Sequence, residues 1–106
     1  MADAQRLFDD LAEEHLVKPE VSMGRILANE GLTVNGKLYA FCSRDRLIVK
    51  VPLERARALL SDGTAEPVEM GKRRMKEWVA FTSPQEEEWR AFMAEALAFV
   101  ESLTKR

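Results

Sequence analysis

Lys72, Arg73, Arg74 and Lys76 set four cations within five residues, and Trp78 follows two positions later. Ammonium and guanidinium groups beside an indole can hold a phosphate, an acidic protein surface or single-stranded nucleic acid, by charge and by stacking. These five residues are the candidate ligand- or partner-binding set. The plainer reading is a solvated loop with Trp78 in the core, and Glu69 and Glu77 dilute the patch from both sides. Arg44 and Arg46 fall in a different turn and would enlarge the patch only where the two loops adjoin.

No second constellation emerges. The single imidazole and single thiol, His15 and Cys42, lie far apart without CxxC or HxxxH spacing, so neither a zinc site nor a Cys–His nucleophile is expected. Cys42 falls in a predicted strand, where a small buried hydrophobe is its expected role. The carboxylate runs Asp9-Asp10, Glu13-Glu14 and Glu86-Glu87-Glu88 read as solvated helix faces and first-turn charges. Gly24, Gly31, Gly36, Gly63 and Gly71 stand singly in turn, bulge or cap positions, with no GxGxxG or Walker pattern among them. The expectation is a protein that is not an enzyme and uses no cofactor or metal.

The elements that must position the basic set fit a chain of 106 residues, which suits one domain on the usual scale of about 100–200 residues. Such a domain buries about two thirds of its unfolded surface and needs no disulfide, and one cysteine fits a reducing compartment. A net charge of −2 argues against a general nucleic-acid or membrane coat. The N-terminus lacks a basic stretch followed by an apolar run, and no segment reaches the ~18 apolar residues of a membrane span. A cytosolic location without membrane contact is expected.

Leu7, Phe8, Leu11 and Ala12 at helical spacing predict a helix over residues 3–15, ended by Lys18-Pro19. Residues 21–30 read as a first strand, with Leu32-Thr33-Val34 continuing it after a bend at Gly31. Asn35-Gly36 predicts a type I′ hairpin pairing Val34 with Lys37 and Leu32 with Tyr39. Leu38 to Cys42 and Leu47 to Val51 are the next strands, joined by Ser43-Arg44-Asp45-Arg46. Both faces of this meander carry apolar groups, so one face packs on helices and the other is partly covered or meets a partner. A helix from Pro52 to Leu60 ends at Asp62-Gly63, residues 66–70 form an edge strand holding Pro67, Gly71 to Arg74 form a loop, and Met75 to Phe81 form a strand.

Ser83-Pro84-Gln85-Glu86 reads as a capping box opening the last helix. Its stripe, from Trp89, Phe92, Met93, Ala96 and Phe99 to Leu103, packs on the sheet or, alternatively, across a two-fold axis; Trp89, Phe92, Met93 and Phe99 are the candidate dimer surface. The predicted fold is α+β in two layers: a mostly antiparallel five-stranded sheet with helices on one face, in the order α-β-β-β-α-β-β-α.

Asn35-Gly36-Lys37-Leu38-Tyr39-Ala40 followed by Leu47-Ile48-Val49-Lys50-Val51-Pro52 resembles the TfoX N-terminal-domain-like family. So does Gly71 through Met75-Lys76-Glu77-Trp78-Val79 ahead of a terminal helix with a tryptophan near its start. The resemblance covers residues 20–103 and treats residues 1–106 as a single such domain. It implies a secretion-chaperone-like fold, partner binding and dimerisation, and ties the chain to a family named after regulators of natural competence. Met23-Gly24-Arg25 stands where the family has a Met-Phe-Gly-Gly start, and no room is left for the C-terminal helical domain of full-length competence regulators. The functional expectation is a small non-enzymatic protein-interaction or regulatory accessory module, with a homodimer as one form of it. The second reading is a weak nucleic-acid or phosphate binder using residues 72–76; nucleic acid is the less favoured partner.

Overall fold

Apolar residues two apart build a six-stranded antiparallel sheet, and apolar residues three and four apart build three helices against it. The computed structural model describes the backbone of residues 3–26, 29–70 and 73–104, and the side chains of residues 4–24, 30–69 and 75–104. In chain order the elements are α1 (Asp3–His15), β1 (Val21–Ile26), β2 (Asn29–Val34), β3 (Lys37–Ser43), β4 (Arg46–Lys50), α2 (Leu53–Ser61), β5 (Glu66–Met70), β6 (Arg73–Phe81) and α3 (Glu86–Thr104). The strands lie in the order β1-β2-β3-β4-β6-β5.

The expected five strands are therefore six. The segment taken as one bent strand is a hairpin, with Val21 opposite Val34 and Gly24 opposite Gly31, and the element order gains a strand before α2. The Asn35-Gly36 turn has the expected positive φ at both residues, +52° and +83°, and sets Val34 against Lys37. The pairing expected next fails. Leu32 meets Ala40, not Tyr39, because Tyr39 is an extra residue in β3. This bulge inverts the side-chain alternation: Tyr39 and Ala40 both join the helix-side core, while Leu38 and Phe41 turn to the other face. The β3–β4 turn also uses positive φ, at Arg44 (+53°) and Asp45 (+61°).

Two further boundaries move. β6 starts at Arg73, so the expected loop over residues 71–74 is already strand by that point. α3 starts at Glu86, one turn past the proposed Ser83 cap, with the Trp89 N–H donating to the Gln85 carbonyl at 2.8 Å. Glu86, Glu87 and Glu88 supply the negative charge that the exposed N–H groups of the first turn favour.

All three helices pack on one face. Phe8 and Leu11 from α1, Ala56 and Leu59 from α2, and Trp89, Met93, Ala96 and Val100 from α3 share one buried cluster with Leu32, Tyr39, Leu47, Val49, Val79 and Phe81. Each large apolar side chain enclosed there contributes about 1.5–3 kcal/mol relative to exposure, and that burial holds the two layers together. No helix among the described residues is long and apolar enough to cross a membrane.

Candidate functional site

The face of the sheet that bears no helix carries a second apolar cluster. Phe41, Ile48, Val68 and Ala80 are buried there, with Leu38, Met75 and Trp78 half-buried around them. The register explains the assembly. Phe41 of β3 lies opposite Ile48 of β4, and Ile48 lies opposite Ala80 of β6, which makes one row across the three central strands. Gly31 of β2 continues that row beyond Phe41, and a Cβ there would come within 2.6 Å of Leu38 Cδ1, so the missing side chain is what lets Leu38 close over β2. Trp78 pairs with Lys50 and leans over the row, its ring 5.9 Å from that of Phe41 and tilted by 57°. The indole closes the cluster while leaving part of itself in solvent.

A bulge in β6 makes this placement. Pro67 meets Val79 but Val68 meets Met75, so Lys76, Glu77 and Trp78 have no counterpart on β5. The Val51 N–H donates to the Glu77 carbonyl at 2.9 Å and ties the bulged stretch to the end of β4. The cation directly across from Trp78 on the open face is Lys50; Arg46 projects from the same side of β4 four residues back, about 13 Å away at ~3.3 Å per residue, where it pairs with Ser43. Arg44 and Asp45 form the adjoining turn.

Charge is divided between the layers. The α1 and α3 segments hold ten carboxylates against two arginines, whereas β3 through β4 and β6 hold seven cations against two carboxylates. The three ion pairs formed among the described residues all engage helix arginines: Arg55 with Glu95, and Arg90 with Glu14 and Glu86. Arg44, Arg46 and Lys50 form none among the described residues, so their charges remain available to a ligand.

Of the expected basic set, Lys76 and Trp78 have described side chains, and these lie on opposite faces of the sheet. Lys72 lies outside the described residues, and Arg73 and Arg74 are placed by backbone alone, opposite Met70 and Glu69. Lys76 lines a shallow groove of about 230 Å³ with Leu53, Arg57 and Leu60 of α2, on the helix side. Trp78 belongs to the other face. The α3 stripe is used within the chain: Trp89 and Met93 are fully buried, Phe92 stacks on Phe81 at 4.5 Å beneath the Arg55 guanidinium, and Phe99 is half-buried against the core. That leaves Phe92 and Phe99 as the partly accessible members of the proposed dimer surface.

A second concavity, of about 310 Å³, runs between the end of α1 and the middle of α3, past Glu14, His15, Lys18, Arg90, Leu97 and Glu101. His15 stacks on Tyr39 and its Nδ1 lies 2.7 Å from the Tyr39 hydroxyl. Burial pushes the imidazole pKa down and the phenol pKa up, which keeps both groups neutral; with the ring hydrogen on Nε2, Nδ1 accepts from the buried phenol, whose hydrogen would otherwise lack an acceptor. The Arg90 guanidinium holds the Glu14 carboxyl below its usual range. With Arg90 and Glu14 engaged, this groove presents mainly satisfied charge. Cys42 is buried, its thiol pushed up to about 11 by desolvation, so it is no nucleophile at neutral pH. No group of three or more His, Cys, Asp or Glu residues that could hold a metal is found among the described residues.

Fold and face together define an α+β domain with an open antiparallel sheet, one side of it free of helices and bearing an indole among cations. Comparison with family models, with curated proteins and with solved structures returned no match.

Proposed function

We propose that this chain is a small non-enzymatic interaction module, a regulatory accessory, that engages its partner through the helix-free face of the sheet. The observation that carries the proposal is a half-buried Trp78 directly across from Lys50 on that face, with Arg46 farther along the same side of β4 and neither cation in an ion pair among the described residues. A binding site needs a desolvatable apolar anchor and polar groups not already committed within the chain. On the helix side Arg55 and Arg90 are already ion-paired, and Trp89 and Met93 of the aromatic stripe are fully buried within the chain. Membership in the TfoX N-terminal-domain-like family, a chaperone-like architecture and action in the cytosol belong to the same proposal. They rest on the residue patterns in β3, β4 and β6 and on the single buried thiol.

Photo-crosslinking in cells tests it. A benzophenone side chain is placed at Ser43 or Thr82 on the open face, or at Glu13 on α1. Adducts concentrated at Ser43 and Thr82 are expected. Adducts at Glu13 alone would overturn the assignment of the face.

A further inference from the structure

We infer that the partner of the open face is single-stranded nucleic acid, gripped along β4 and stacked on Trp78; this rests on the reading of that face as the binding surface. The argument starts with spacing. Arg46 and Lys50 project from the same side of β4, about 13 Å apart at ~3.3 Å per residue, and the exposed Arg44 extends the line past the turn. Such a row of cations, none of them in an ion pair among the described residues, tracks a phosphate backbone. The indole of Trp78 lies directly across from Lys50, so a base attached to a phosphate held at Lys50 has a ring to stack on.

Charge complementarity excludes the other side. Ten carboxylates on α1 and α3 repel a polyanion from the helix layer, and two acidic residues, Asp45 in the turn and Glu66 opposite Ala80, bound the basic strip on the open face. The shape selects single strands. A face several strands wide enters neither groove of a duplex, and a stacking surface requires a base free of its own neighbours. An acidic peptide would satisfy Arg46 and Lys50 but leaves the indole without a planar partner, so nucleic acid uses more of what the face presents.

The test is fluorescence anisotropy with a short labelled oligothymidylate and an oligouridylate, against a labelled poly-glutamate peptide and a DNA duplex. Contacts from Arg44, Arg46 and Lys50 predict a log–log salt slope of about −2, or about a twentyfold loss between about 50 and 200 mM salt. Arg46→Glu with Lys50→Glu should abolish binding, whereas Arg6→Glu with Arg57→Glu, an equal change of net charge on the helices, should largely preserve it. Trp78→Ala should weaken binding about fivefold or more with the salt slope unchanged, which separates stacking from charge. Because Trp78 packs on Phe41, circular dichroism and a thermal melt accompany that variant; the two charge pairs carry the test if it unfolds. Equal losses from the two charge pairs, equal affinity for duplex, tighter binding of the poly-glutamate peptide, or no binding at low salt would each overturn the inference. Nuclease-resistant protein adducts at Ser43 with no oligonucleotide binding would sink nucleic acid while leaving the face as the interaction surface.

Discussion

Removing the Tyr39 hydroxyl offers a direct test of how the α1–sheet contact is built. Tyr39 is fully buried, and its hydroxyl donates to His15 Nδ1 across 2.7 Å. Tyr39→Phe keeps the ring and the stacking while deleting one hydrogen bond and leaving Nδ1 without its donor, at a cost of about 1–2 kcal/mol. In a domain of this size that lowers Tm by roughly 4–15 °C. The pH dependence gives a second handle. The folded imidazole titrates below its ordinary value, mainly through desolvation, so between the ordinary value near 6.5 and the lower folded value the unfolded chain binds more protons. Stability conferred by the neutral ring is therefore complete above about pH 6.5 and is lost as pH falls through that interval. In Tyr39→Phe the neutral ring loses its hydrogen-bond donor, so the folded imidazole pKa rises and the acid-side loss shrinks. His15 is the one histidine, so an NMR titration of its ring resonances reads the value directly, and urea melts at several pH values read the linkage. A wild-type imidazole that titrates at or above 6.5, or a variant with unchanged stability at pH 8, would refute the reasoning.

Gly31→Ala should destabilise by about 1–3 kcal/mol, because the new methyl would sit 2.6 Å from Leu38 Cδ1 and 3.0 Å from both the Ala40 carbonyl oxygen and Phe41 Cβ; urea melts measure it. Cys42, with its thiol raised to about 11, should resist iodoacetamide in native buffer at pH 8 and react readily in urea, as followed by mass spectrometry. Arg90→Ala removes exposed pairs to Glu14 and Glu86 and should shift the denaturation midpoint only slightly, a difference that narrows further in high salt in paired denaturation curves.

How much of this was legible depended on whether a feature was local. Asn35-Gly36 announced its hairpin because both residues accept positive φ, and Pro67 marked an edge strand that is indeed β5. The hairpin of β1 and β2 was hidden because Leu27-Ala28, between the strands, carries none of the residues that mark a turn. The polar Ser43-Arg46 stretch did mark its turn, although Arg44 and Asp45 adopt left-handed backbone without a glycine to signal it. Lys76 and Trp78, two apart, would share one face of a regular strand, but the β6 bulge breaks that alternation, so Lys76 turns toward α2 while Trp78 turns away, and no local pattern announces the bulge. Arg46, Ile48 and Lys50 alternate in plain view, yet their association with Trp78 needed the pairing of β4 with β6, which no local pattern encodes.

That pairing has a kinetic consequence. β1 to β4 form an uninterrupted meander and β5 with β6 form a separate hairpin, so each can close over short stretches of chain. They meet along the four registered pairs from Leu47 with Phe81 to Lys50 with Trp78, the seam across which the cations and the indole face each other. The proposed binding surface thus exists only after the two parts have docked. A ligand that touches both Lys50 and Trp78 acts as a clamp on the seam, and its occupancy would be readable as slowed amide exchange along β4 and β6.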